Sequence, residues 1–309
     1  MALSKKRRVL YIFAGVCMSL VILELALRLL GSGYKLIYRL PQDKGADYRI
    51  FCVGEPSTMG VGAADPRKQS YPRQLESMLN SRFPGRKIQC FFDHTIGQNT
   101  SEILIKLPSY IQKYRPDLVI LMTGVNNWWN MDKCNIFLFN KDKRVSDLAL
   151  RTRVFMDQFR VWKLFKWLQL SLGFYKEKWN IGWPEALDNR RLVQDGMDKL
   201  EKKYGNGIWR ICNRLAGYDI SEMIRICQAN HIRVMICSYP GGAKGRLAEV
   251  QGKMAEKYGV PFVDNESYFK SLSNAGAYFY SDGWHPNEKG YALVAGNIYD
   301  CIIDNKLIE

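Results

Sequence analysis

The sequence predicts an α/β fold of three layers: a parallel sheet of about five strands with helices on both faces, preceded by one N-terminal transmembrane helix. Three observations predict it. Short apolar runs alternate with longer amphipathic stretches from residue 48 to the C-terminus. A long apolar run directly follows a basic cluster at the N-terminus. The chain has 309 residues and 47% hydrophobic content, enough to bury one substantial core and a smaller appendage.

At the N-terminus, Lys5, Lys6, Arg7 and Arg8 precede the apolar run Val9 to Leu23, which continues through Glu24 and Arg28 to Leu30. That is about the length of a membrane span. Glu24 and Arg28 fall near its far end, where Arg28 can snorkel to the interface. No A-x-A-type cleavage site follows, so the segment reads as an uncleaved signal anchor over residues 1–34, with a linker at 35–47. The basic cluster predicts a single-pass topology with a cytoplasmic N-terminus and the remainder extracytoplasmic, periplasmic or at the cell surface.

The strands follow as YRIFCV (48–53), KIQCFF (87–92), LVILMT (118–123), RVMICS (233–238) and PFVD (261–264). Between them the helical stretches are SYPRQLESMLNSRF (70–83), TSEILIKLPSYIQKY (100–114), DISEMIRICQANH (219–231) and RLAEVQGKMAEKYG (246–259). Apolar strands alternating with such helices are those of a parallel sheet buried on both faces. The segment from Trp128 to about Tyr218 interrupts this rhythm and reads as a helical, aromatic and basic insert. On a helical wheel Arg153, Asp157, Arg160 and Lys163 share one side, opposite Val154, Phe155, Trp162 and Phe165. A helix packed on the core with a solvated basic face accounts for that pattern. The alternative is a cap lying against anionic lipid or polymer.

The net charge of +15 fits nucleic acid, an anionic membrane surface or an acidic substrate. The sequence has no zinc-ligand pattern, phosphate loop or RNA-binding signature, which places nucleic acid last. The eight cysteines lack framework spacing. Cys52 and Cys237 sit in strand-like runs and read as buried free thiols. Neither a metal nor an organic cofactor is expected, and the oligomeric state is left open.

Ligands of open α/β sheets gather at the carboxyl ends of the strands. There the sequence places Gly54-Glu55-Pro56-Ser57-Thr58-Met59-Gly60, then Gly97, then Gly124-Val125-Asn126-Asn127, and near the C-terminus Asp282 with His285. A histidine with an aspartate three residues earlier suits a general base and the group that orients it. An asparagine amide and a glycine N–H suit an oxyanion hole. His94 and His231 carry no comparable context.

On these motifs, in this order, the chain resembles the SGNH hydrolase family, also called GDSL-type esterases, from about Arg49 to the C-terminus apart from the insert. The resemblance implies a flavodoxin-like fold over 48–309, interrupted by the insert at about 128–218. It also implies an Asp282–His285 couple and oxyanion donors at Gly97 and Asn126. Asn127 stands where the family usually has aspartate. In the first block Gly54, Glu55, Thr58 and Gly60 fall into register, and the nucleophile position is then Pro56, with Ser57 beside it. Proline has no hydroxyl to attack and no N–H to donate. Three explanations stay open: Ser57 acts as surrogate nucleophile, the chain is a pseudoenzyme that binds a polysaccharide or protein partner, or Pro56 is an engineered or erroneous residue. The resemblance implies an esterase or acyltransferase acting on short acyl esters of an extracytoplasmic glycan or lipid.

Overall fold

A computed structural model of the chain describes residues 4–37, 45–93, 98–127, 156, 159–171, 202, 207–243 and 245–308. The chain packs as two units, Met1–Lys44 with Arg151–Asn180, and Gly45–Leu150 with Ile181–Glu309. The first contains α1 (Lys5–Ile37), a continuous helix. Within its stretch Lys5–Leu30 an 18-residue window has a mean hydropathy of 2.3, and none of that window is buried. The 26 residues of the stretch extend about 39 Å at 1.5 Å per residue, more than a hydrocarbon core of about 30 Å. Among the described residues it is the one helix long and apolar enough to cross a membrane, a test that a signal sequence also passes.

The second unit is built on β1 (Tyr48–Gly54), α2 (Pro56–Met59), α3 (Pro66–Gln69), α4 (Tyr71–Arg82), β2 (Ile88–Phe92), α5 (Thr100–Tyr114) and β3 (Leu118–Met122). A 3-10 turn, Val125–Asn127, closes β3. The described part of the 128–218 segment includes α6 (Arg160–Ser171), which belongs to the first unit. The second unit resumes with α7 (Ile208–Ala229), β4 (Arg233–Cys237), α8 (Leu247–Tyr258), β5 (Phe262–Val263), α9 (Asn265–Ser271) and α10 (Glu288–Asp304). Of the helical wheel drawn from the sequence, residues 153–155 and 157 lie outside the described residues.

All five strands are parallel, in the order β2-β1-β3-β4-β5. β3, whose five residues are all apolar, is buried throughout, as a central strand covered on both faces must be. β2, at the edge, alternates between buried and half-buried positions. Right-handed crossovers in this order put α4 on one face and α5, α7 and α8 on the other. The observed packing agrees: α4 meets α10, and α7 meets α5 and α8. The core between these layers includes Phe51, Leu75, Ile120, Ile224 and Ile298. Cys52 and Cys237 are buried and unbridged, as expected from their strands.

α7 begins eleven residues before the helix read from the sequence. Its buried side, Cys212, Leu215, Ala216, Ile220, Met223, Ile224 and Cys227, continues one stripe across that start. Asn99 caps α5 in a reciprocal box with Glu102, and Asn287 caps α10 through the N–H groups of Lys289 and Gly290. The caps fix where both helices start, directly after two candidate site loops.

Candidate active site

The turn after β1 is the strand-to-helix corner expected from its sequence. Gly54 is required there by close approach: a Cβ would overlap Thr58 Oγ1 and come within 2.8 Å of Met122 O. Glu55 is extended, at φ −106° and ψ −162°, the conformation that a following proline favours. Pro56 occupies the first position of α2, where a missing N–H breaks no helical bond. Thr58 N–H donates to Glu55 O at 2.8 Å, and Gly60, at φ 85°, ends the turn.

Ser57 is 6% exposed and lies near the phenol of Tyr291 on α10, whose own proton goes to Val61 O at 2.6 Å.

The candidate base, His285, lies on a loop pinned by its own backbone. Tyr280 N–H donates to His285 O at 2.8 Å, Gly283 N–H to Tyr280 O at 2.9 Å and Asn287 N–H to Tyr278 O at 3.0 Å. Asp282 Oδ1 accepts the N–H groups of Trp284 and His285 at 2.8 and 3.0 Å, and Oδ2 lies 2.6 Å from His285 Nδ1. Burial alone would raise the Asp282 carboxyl; the His285 ring and the two N–H donors hold it below its ordinary value. An ionised Asp282 fixes the proton of His285 on Nδ1 and leaves Nε2 as the basic nitrogen. The His285 side chain is 19% exposed, open enough to meet a substrate.

The 3-10 turn after β3 carries Asn126. Its Nδ2 is buried and has no hydrogen-bond partner among the described residues. Buried amide donors are normally satisfied, so this one is available to a ligand, as an oxyanion donor has to be. Gly97 lies outside the described residues. Asn127, beside Asn126, is structural: its Oδ1 accepts the N–H of Thr100 at 2.9 Å.

Two carboxylates that sequence reasoning did not assign organise this region. Glu55 is fully buried; its Oε1 accepts Gly124 N–H at 2.9 Å and its Oε2 accepts Asn126 N–H at 3.0 Å. Tyr239 lies 2.9 Å from Glu55 Oε2 and 2.6 Å from Met122 O, with one proton for both. Met122 O can only accept, so both contacts are hydrogen bonds when Glu55 carries a proton of its own. Burial points the same way. It pushes Glu55 from 4.5 to about 7, against the downward pull of Gly124, Tyr239, Asn126 and Thr123. A neutral Glu55 aligns the Asn126 turn without placing a negative charge beside a developing oxyanion. Asp219, on α7, accepts the hydroxyls of Thr100 and Ser101 at 2.6 and 2.8 Å and ties α7 to the start of α5. Tyr239 follows a predicted strand by one residue, and that position at a strand's carboxyl end was the available signal.

The β1 turn is the common neighbour of these parts. Through Glu55 it holds the backbone of Asn126, and at its far end Gly62, at φ 96°, packs against the base loop. A Cβ on Gly62 would come within 2.8 Å of Pro286 O and 3.2 Å of His285 Cβ. A cavity of about 540 Å³ opens here, lined by Gly62, Ala63, Ala64, Tyr280, Ser281 and Glu288. No group of three or more metal-ligating side chains occurs among the described residues.

An Asp–His couple and an amide donor on loops at the carboxyl ends of a parallel sheet are the equipment of acyl-cleaving hydrolases, and fold and site assign the chain to that class. The sequence makes the assignment specific. Residues 52–293 match the GDSL-like lipase/acylhydrolase family, and the chain belongs to it. No curated protein sequence matches the chain. Among solved structures, it is similar to the psychrotrophic esterase EstA from Pseudoalteromonas sp., at 13% identity and a TM-score of 0.46, covering 84% of this chain and 98% of that one. A GDSL-like lipase from Parabacteroides merdae gives 12% identity and a TM-score of 0.49, covering 87% and 100%. Axe2, an acetylxylan esterase from Geobacillus stearothermophilus represented by a catalytic mutant, gives 13% and 0.49, covering 84% and 96%.

Proposed function

We propose that this protein is a membrane-anchored esterase or acyltransferase that acts on short acyl esters of an extracytoplasmic glycan or lipid, with Ser57 as its nucleophile. The observation that carries the reading is the Asp282–His285 couple, joined at 2.6 Å and held by two further backbone bonds to Asp282. The helix α1 and the basic cluster Lys5, Lys6, Arg7 and Arg8 at its start support the anchor and the outward-facing topology.

His285 Nε2 takes the Ser57 proton as Oγ bonds to the acyl carbon, and the carbonyl electrons move onto oxygen, where Asn126 Nδ2 donates to it. Collapse of this adduct breaks the ester bond, and the leaving alkoxide takes the proton from His285. Water or an acceptor hydroxyl then repeats the sequence on the acyl-enzyme, giving hydrolysis or transfer. Pro56 supplies no N–H to the oxyanion, so Asn126 carries more of that charge, together with Gly97 as the family resemblance implies.

A fluorophosphonate probe on the full chain in detergent, followed by peptide mapping, tests this reading. The expected adduct is on Ser57 and is lost in His285→Ala. A folded chain that stays unlabelled supports the second reading, a catalytically silent member that binds a polysaccharide or protein partner. The observation favouring that alternative is Pro56 at the first position of α2, where the family resemblance places the nucleophile.

A further inference from the structure

A carboxylate inside an apolar span is costly, and Glu24 lies within the Lys5–Leu30 stretch of α1. Its partners explain its presence. Arg28 Nε donates to Glu24 Oε1 at 2.6 Å, and the backbone N–H of Val161, in the first turn of α6, donates to Glu24 Oε2 at 2.9 Å. Glu24 therefore joins a helix from the interior of the chain to the N-terminal helix, with its charge at the positive end of α6.

The position of that joint sets the level of α6. Glu24 is six residues from Leu30, about 9 Å along the helix axis, so the start of α6 falls near the outer end of the span. With twelve residues, about 18 Å, α6 is too short to cross a bilayer. Its sequence, RVWKLFKWLQLS, has three basic residues and no acidic one, with aromatic residues of the kind that collect at membrane interfaces. Trp162 and Phe165 stack at 5.9 Å, while Phe165 is 50% and Leu168 40% exposed, three residues apart on the helix.

We propose that α6 is a second membrane element, lying in the headgroup layer of an anionic bilayer beside α1 with Phe165 and Leu168 in contact with lipid. This rests on the anchor reading of α1. The continuity of α6 with the span through Glu24, and the match of its basic, acid-free sequence to anionic headgroups, select lipid as the occupant. The attachment would hold part of the 128–218 segment at the membrane independently of the N-terminal linker.

The test uses the full chain in phosphatidylcholine vesicles with and without phosphatidylglycerol, carrying a photo-cross-linking phenylalanine at position 12, 165, 168 or 268. Position 12 reports the anchor, and position 268, exposed on α9, serves as the solvent control. Lipid adducts are expected at 12 in both vesicles, at 165 and 168 several-fold more with phosphatidylglycerol, and not at 268. Glu24→Gln is expected to lower the 165 adduct about fivefold, the effect of losing a helix cap worth about 1 kcal/mol, while leaving position 12 unchanged. Adducts at 12 without adducts at 165 and 168 overturn the proposal and leave the anchor standing. No adduct at 12 overturns the anchor reading and the proposal with it. Equal labelling of 165 in both vesicles overturns the choice of an anionic surface.

Discussion

The turn after β1 and the loop before α10 carry the candidate nucleophile and the candidate base, and they secure them differently. In the loop, Asp282 and His285 are three residues apart, and Asp282 receives both backbone N–H groups and the imidazole, so geometry and charge are settled within a single turn. In the turn after β1, the backbone shape is kept by Gly54, an extended Glu55 and Gly60, while the in-register side chain has become Pro56. A proline fits the first position of a helix, so the fold does not resist the substitution; only the chemistry does.

The largest expected effect tests the loop. His285→Ala should reduce kcat/KM for a small chromogenic acetyl ester by about 10³–10⁴, and Asp282→Asn by a similar factor through the wrong tautomer. Activity that survives both variants would mean the couple is ornamental. Next, Asn126→Ala should lower kcat by about 10²–10³ with KM little changed, since its amide acts on the oxyanion and not on the ground state; a loss confined to KM would place it in binding instead.

Glu55 gives a pH test of the partners of the β1 turn. Its folded value, about 7, lies above its ordinary 4.5, so the folded state favours the protonated form. The stability it contributes is fully present below about 4.5 and is lost as pH rises through about 7. At about 1.4 kcal/mol per unit that is on the order of 3 kcal/mol. Denaturant melts of the full chain in detergent should show this decline, and Glu55→Gln should flatten it while lowering kcat, because an amide cannot accept from both Gly124 and Asn126. An unchanged slope in the variant would remove Glu55 as the titrating group. The smallest expected effect probes the turn itself. Pro56→Ser restores a hydroxyl and an N–H in register and should raise ester hydrolysis about a hundredfold, the factor associated with about 1 Å of misplacement, with the fluorophosphonate adduct moving to residue 56. No gain would show that the turn is out of register with His285 for another reason.

Much of this could be read from the sequence. Each strand was placed within a residue or so at either end because strand composition and buried pattern coincide. The helix 100–114 was placed at both ends, and the structure shows why: Asn99 and Glu102 cap its start, and Arg115, at φ 45°, ends it. α7 was shortened because Trp and Arg residues masked the apolar stripe that begins at Cys212. The C-terminal helix α10, which carries Tyr291, was not isolated. Asp282, His285 and Asn126 were legible through local motifs. The role of Glu55 was not, because its partners Gly124 and Tyr239 lie 69 and 184 residues further along. Local pattern identifies a residue's type and place, whereas a clamp made of distant strand ends exists only once the sheet has formed. Asp219 was missed for the same reason, its hydroxyl partners being on α5.

Gly62 has a consequence beyond its own turn. With Pro286 and His285 so close that position 62 admits no side chain, the span of chain behind the nucleophile turn and the loop bearing the base share one gauge. Play in either is taken up by the other, like two gears meshed at a single tooth.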